Sequence, residues 1–374
     1  MRLCLFTSLL LLSIAPVCAQ PQEGSPQEKQ AAACLGCNAR RTNVTATPGP
    51  RQLKGLRWKT RLGKSLLSPP IVDEGLVIIG GEGFVCALGV ADGTHRWLFD
   101  PHAAVQGAVA VTAEAIFVGN ADGTLCAIDK RGTKKLWRCE MGQGEDIYSS
   151  PCVVDDIVYF ASRTWLCAVN AADGKIRWRL KIGNGCSPAV GNDKICLFES
   201  PQRLNIVDAR KGTLDWSVQN PLFPCVQDFV PAVDQGHVFA QHMSGLRVFD
   251  LATKAVVWSY EQDSFGFCAP AVSGKHILLS QGKGGLVALE RNNGRIRWQW
   301  DRTIVSVTPT VSGGLLYVGG MDTRINKHYL YCAHEDNGAI LWQFEVSGAI
   351  HSPPAVGDGA VFVTCDDGWV YAVE

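Results

Sequence analysis

Short apolar runs such as Leu76-Val77-Ile78-Ile79, Ile157-Val158-Tyr159-Phe160 and Leu315-Leu316-Tyr317-Val318 recur along this chain. Each run is closed by a turn signal, among them Asp73-Glu74-Gly75, Asp122-Gly123, Ser312-Gly313-Gly314, Asp358-Gly359 and Asp367-Gly368. Runs of this length rich in β-branched and aromatic residues predict strands, and the turns between them predict antiparallel hairpins. Trp58, Trp97, Trp137, Trp178, Trp216, Trp258, Trp298 and Trp342 share one phase, with gaps of 39, 40, 41, 38, 42, 40 and 44 residues. About four strands fall in each period, the content of one propeller blade, which needs neighbours on both faces.

A small-apolar-x-acidic step and a turn precede the internal tryptophans. Examples are Ala127-Ile128-Asp129 before Trp137, Ala168-Val169-Asn170 before Trp178, Val207-Asp208 before Trp216 and Ala288-Leu289-Glu290 before Trp298. The copies are imperfect: Gly89 stands for the acid in the first, and Lys254 for the turn glycine before Trp258. The chain ends on the first half of a repeat, Tyr371-Ala372-Val373-Glu374, while Leu53-Lys54-Gly55-Leu56-Arg57-Trp58 supplies the second half. The termini are therefore expected to complete one blade together, shutting an all-β, eight-bladed ring with no free sheet edge at the seam.

This pattern resembles the PQQ-like (pyrroloquinoline-quinone-type) β-propeller repeat, Ala-x-Asp-x-x-x-Gly-x-x-x-Trp, over Gln52 to Glu374. The resemblance implies that each indole docks between adjacent blades, a structural role. It leaves Trp165, Trp300 and Trp369, outside the motif, freer to bind a ligand. The paired Gly-His and Trp-Asp signatures of WD-repeat propellers are missing.

Composition narrows the function classes. With 35 basic and 35 acidic residues and neither sign in blocks, nothing marks a surface for nucleic acid or anionic membrane. Arg2, the apolar stretch from Leu5 to Val17 and Val17-Cys18-Ala19 read as an export signal cleaved after Ala19. Pro16 and Val17 argue against acylation of Cys18 as a lipoprotein, and no later stretch reaches the ~20 apolar residues of a membrane span. A soluble, monomeric ring in the periplasm or outside the cell is the expectation.

Export permits disulfides, yet 13 of the 15 cysteines remain once Cys4 and Cys18 leave with the leader, an odd number. Cys86, Cys126, Cys167 and Cys332 precede the alanine of their repeats and read as small buried hydrophobes. Residues 20–51, rich in Gln, Pro, Ala, Thr and Gly, are expected to form a flexible arm. Within it, Cys34-Leu35-Gly36-Cys37 is followed by Asn38 where a c-type haem would need His, and it lacks the second ligand pair a metal would need. A disulfide involving Cys34 and Cys37, local or intermolecular, is the reading. Cys186 and Cys268 fall at one position of their blades, where the last blade has Ser352, and Cys225 falls near it; an axial thiol cluster is a hypothesis.

The histidines show no metal-binding helix spacing, and the sequence has neither a G-x-S-x-G elbow nor a Walker A loop. Asp366-Asp367-Gly368 is accounted for by a hairpin. Asn43-Val44-Thr45 would be a glycosylation acceptor only on a eukaryotic secretory route.

Three functions stay open, because one repeat serves many proteins. The first is an exported non-catalytic scaffold for protein partners, similar to the propeller component of the outer-membrane β-barrel assembly machinery; no catalytic residues and no cofactor are assigned on that reading. The second is a dehydrogenase holding pyrroloquinoline quinone (PQQ) and Ca²⁺ on the ring axis, for which this chain lacks the adjacent Cys-Cys pair of that family. The third is a carbohydrate- or peptide-binding protein, with Met321 to Tyr329 as its recognition loop.

Overall fold

The computed structural model describes residues 32–374 apart from 64–65, 67, 200–201, 220–229, 262–267, 282–284, 301–302 and 305–306. The expected leader, Cys4, Cys18, the first part of the expected arm and Cys225 lie outside the described residues. The described chain is all-β, and its antiparallel sheets form the eight blades of a propeller. Blade 1 consists of Ile71–Asp73, Leu76–Gly81, Phe84–Gly89 and His95–Phe99, from the axis outward. Blades 2 to 7 repeat it, with inner strands Ala110–Val111, Cys152–Val154, Ala189–Gly191, Ala232–Asp234, Ala271–Val272 and Thr310–Ser312. Middle strands such as Ala115–Gly119 and Ile157–Ala161 are buried at every residue, because neighbouring blades cover both faces. Outer strands such as Ile176–Lys181 alternate with solvent.

Blade 8 contains Ala355–Gly357, Ala360–Thr364, Trp369–Val373 and, from the other end of the chain, Leu56–Arg61. The closing strand is antiparallel with Trp58 opposite Ala372, and Arg57 Nε donates to Glu374 Oε2 at 2.8 Å.

Each tryptophan of the series reaches into the next blade. Five indole N–H groups donate to a carbonyl there, Trp58 to Val90 (2.8 Å), Trp137 to Ala171 (2.8 Å), Trp178 to Ala209 (3.1 Å), Trp258 to Arg291 (3.1 Å) and Trp298 to Glu335 (2.8 Å), and a sixth, that of Trp342, donates to Pro50 of the arm (3.1 Å). The ring lies on the turn glycine. At Gly212 (φ +68°) a Cβ would fall 2.3 Å from Trp178, and at Gly294 (φ +70°) 2.5 Å from Trp258, so both conformation and space demand glycine. Lys254 takes this turn position in blade 5 with φ 63°. Trp300 also spans a junction, donating to Gly338 O at 2.8 Å, so it is not free for a ligand as the sequence suggested. Cys332 lies opposite Trp342 across the ladder, as Ala168 lies opposite Trp178. Tyr331 therefore takes the place in blade 7 that Cys167 takes in blade 3.

The flexible arm expected over 20–51 is corrected by the residues described from 32 onward. They line the inside of the ring. Ala33 bridges Val111 of blade 2, and the carbonyls of Ala39, Arg40, Thr42 and Asn43 accept from Val190, Val233, Val272 and Val311 of blades 4 to 7. Val44–Thr45 then runs parallel to the inner strand of blade 7. The polar residues that made this stretch look solvated satisfy backbone groups instead. Arg41, 1% exposed, donates to four carbonyls: Nε to Pro188 (3.0 Å), Nη1 to Leu35 (2.7 Å), and Nη2 to Ser150 (2.7 Å) and Pro151 (3.3 Å). Asn43, 2% exposed, donates from Nδ2 to Arg41 O (3.2 Å) and Pro270 O (3.3 Å), which removes it from reach as a glycosylation acceptor in the folded ring.

Two stability effects follow. Lys254→Gly removes a left-handed non-glycine residue, and its surface pair with Asp215 (3.3 Å) adds little. A gain of about 0.5–1 kcal/mol is expected after the entropy cost of glycine, read as a higher denaturant midpoint with unchanged slope. Arg41→Met leaves three or more buried carbonyls without a donor, with an expected loss of about 3 kcal/mol or more. Limited proteolysis should then cut within residues 32–50 at least ~10-fold faster than in the parent; equal rates would show that backbone pairing alone holds the arm.

Candidate functional site

Above the arm, on the face where each outer strand crosses to the next inner strand, the axis opens into a funnel of about 760 Å³. Its collar takes one equivalent residue from every blade, two before the inner strand's leading residue: Pro69, Ala108, Ser150, Ser187, Val230, Ala269, Thr308 and Pro353. Leu35, Gly36, Arg41 and Asn43 of the arm also line it. The channel is thus a cup rather than an open pore at this level.

The collar hydroxyls tie blades together. Ala108 N donates to Ser150 Oγ and Ser150 N to Ser187 Oγ, both at 2.8 Å, and Thr308 Oγ1 donates to Ala269 O at 3.0 Å. Ser68, just below, donates to Gly107 O at 3.3 Å. Among the described residues, these hydroxyls bond backbone groups rather than a histidine or carboxylate that could serve as a base.

Among the described residues, the charged or titratable side chains on the lining are Arg41, Glu82 and His351, and the phenol is that of Tyr148. Arg41 is committed to backbone carbonyls. His351 Nε2 lies 3.3 Å from Asp366 Oδ2, and Asp366 Oδ1 accepts from Ala349 N at 2.9 Å. Burial, followed by the hydrogen bond to Asp146, raises the Tyr148 phenol above its ordinary pKa. Among the described residues, no three His, Cys, Asp or Glu side chains stand together to hold a metal. An anionic planar quinone with Ca²⁺ needs free cations, a carboxylate set and a ring to stack on. Among the described residues, one carboxylate, a committed guanidinium and a single tyrosine do not make up such a set.

Cys34 and Cys37 form no bridge in this structure. Cys34 is packed into the core beside Ala110, Phe117 and Cys152, while the chain reverses through positive φ at Gly36 (73°) and Cys37 (66°). Burial, and then the nearby Cys34, pushes the Cys37 thiol up to about 12. Cys186 and Cys268 are buried at matching positions beneath the collar, and Cys268 lines the cup. Asp367 is held in its hairpin by Ser347 Oγ and Trp369 N. The docking tryptophans lie at blade junctions, away from the axis.

The insertion before Trp342 lengthens two strands of blade 7, Leu315–Asp322 and Lys327–His334, to eight residues each. Their hairpin rises on the cup's face with Ile325 at its tip, 55% exposed, and Thr303–Ile304 pairs along its side. Sequence reasoning missed the arm as a lining element. The strand-like run Thr42-Asn43-Val44-Thr45 was the signal that could have revealed it.

A family model described as outer membrane protein assembly factor BamB matches residues 54–187, 122–245, 200–326 and 300–374. Outer membrane protein assembly factor BamB of Yersinia pestis is 27% identical over 247 residues, 62% of this chain and 62% of that relative, so the chain spans less than two thirds of its length. Among solved structures, BamB from Moraxella catarrhalis superposes with a TM-score of 0.70 at 16% identity, covering 85% of this chain and 99% of that one. Quinohemoprotein alcohol dehydrogenase ADHIIG from Pseudomonas putida HK5 gives 0.74 at 14% identity, covering 93% and 80%. At such identities these two superpositions establish the fold alone. Overlapping matches from residue 54 to the last residue identify this chain as a member of the outer membrane protein assembly factor BamB family.

Proposed function

We propose that this chain is an exported, non-catalytic scaffold that engages protein chains in outer-membrane protein assembly, from a periplasmic location. The observation that carries the reading is the division of the ring between a committed interior and an available rim. Inside, the collar hydroxyls and Arg41 are consumed in holding blades and arm together. Outside, Leu98, Val256 and Val257 are 65%, 52% and 48% exposed on outer strands whose free edges can accept another strand.

These edges are unequal. Leu56–Arg61, His95–Phe99, Lys135–Glu140, Ile176–Lys181 and Ile296–Gln299 all contain Arg or Lys, which discourages edge pairing. Leu214–Gln219, Val256–Glu261 and Ile340–Val346 contain none. Blades 4, 5 and 7 are therefore the docking sector, with the blade 7 hairpin beside it.

A photo-crosslinking residue at Val257 should capture an envelope protein in intact cells, and one at Arg177 on blade 3 should not; equal capture at both would remove the sector. Titration of the mature chain with PQQ and Ca²⁺ should leave tryptophan fluorescence unsaturated at micromolar cofactor and give no dye-linked alcohol oxidation. Saturable quenching with turnover would make the chain a small quinoprotein instead.

A further inference from the structure

One contact recurs at the blade junctions. The residue two beyond the docking tryptophan faces, in the next blade, the residue preceding that blade's tryptophan-ladder partner. Between blades 6 and 7 the pair is Trp300 and Tyr331, with centroids 5.9 Å apart; between blades 7 and 8 it is Phe344 and Tyr371, at 6.4 Å. Between blades 2 and 3 the same positions hold Cys139 and Cys167. Both are buried, at 7% and 0% exposure, in one core cluster, and neither is bridged. Met141, just past the same outer strand, packs against that cluster with its N–H held by Gly123 O at 2.9 Å. Its Sδ lies 3.9 Å from Cys167 Sγ.

We propose that Cys139, Cys167 and Met141 form a three-sulfur site for a soft monovalent cation, Cu(I), at the junction of blades 2 and 3. Two thiolates and a thioether are the soft donors that select Cu(I), and zinc prefers four nitrogen or sulfur ligands. With metal–sulfur bonds of about 2.3 Å, the ligands of a trigonal site stand about 4 Å apart, the spacing already seen between Cys167 and Met141. Binding balances as Cu⁺ plus two thiols giving a dithiolate complex of charge minus one and two protons; no electron is transferred. Arg179 is the ladder partner of Cys167 and lies over the Trp165 ring at 4.6 Å, a cation placed beside that charge. The acids facing the sulfurs are Glu140 and Glu145. Burial holds both thiols protonated, so only a cation that binds thiolate tightly displaces the protons.

The test is anaerobic titration of the reduced, full mature chain with Cu(I) against a chromophoric Cu(I) chelator, following thiolate-to-copper absorption. Other thiols are present, so the reading is a difference: Cys139→Ser and Cys167→Ser should each lose one tight equivalent. Met141→Leu, nearly isosteric and safe for folding, should weaken that equivalent by ~10-fold or more. Zn²⁺ should not compete, and Cu(I) should raise the melting temperature of the parent but not of Cys139→Ser. Equal stoichiometry and affinity in parent and all three variants would overturn the site, as would peptide mapping that finds a Cys139–Cys167 disulfide in the native protein.

Discussion

The ring depends on a single repeated interaction: an indole from one blade set against the turn of the next, with the N–H of six of the eight donated to a backbone carbonyl. Burying so large a side chain at a junction is worth ~3–5 kcal/mol in truncation terms, and eight junctions make a closed cycle in which no blade is independent. A cycle has a seam, and here it falls where the chain starts and stops. Blade 8 borrows Leu56–Arg61 for its outer strand, so its turn is not continuous in the chain, and the Trp342 N–H of blade 7 takes its carbonyl from elsewhere. Pro50 supplies it. The same carbonyl accepts from the Tyr317 hydroxyl at 3.2 Å and the Cys332 thiol at 3.9 Å, so one residue ahead of the propeller serves three side chains of blade 7.

This requirement explains the course of the arm. A segment that must deliver Pro50 to the seam and also passes Val111 on the opposite side of the axis has to cross the ring, and crossing it in a dry interior obliges each backbone group to find a partner. Inner-strand amides of blades 4 to 7 and the Arg41 guanidinium meet that obligation. A buried cation surrounded by carbonyl oxygens, rather than by a carboxylate, ties blades 3 and 4 to the arm through dipoles. Removing it strands several acceptors at once.

Much of the fold was legible because its determinants are periodic. The phase of the tryptophans, the turn glycines and the split last repeat are local signals that add up over eight copies, and the structure places Trp58 opposite Ala372 as the split repeat required. The arm was illegible because its partners are largely not local: Arg41 and Asn43 look like solvent-facing polar residues until the ring's backbone carbonyls are in place to receive them. Trp300 was misread for a related reason, since its acceptor is the backbone of Gly338 and leaves no trace in residue type. The shift of Cys332 into line with Trp342 likewise depends on a ladder register that side-chain order does not reveal.

A propeller axis is a place where eight equivalent positions converge, and their chemistry is set by eight short side chains. Here those are proline, alanine, valine, serine and threonine, and the hydroxyls among them are consumed as pegs between blades. With an arm across the channel as well, the interior works for rigidity. On the proposed function, rigidity in turn fixes the spacing of the outer edges, so that a partner strand would meet Val256–Glu261 or Ile340–Val346 at a preset distance and pitch. Less ordering entropy is then lost when a flexible chain docks. The interior chemistry and the exposed rim are in this sense one design: side chains that could have held a ligand hold the frame.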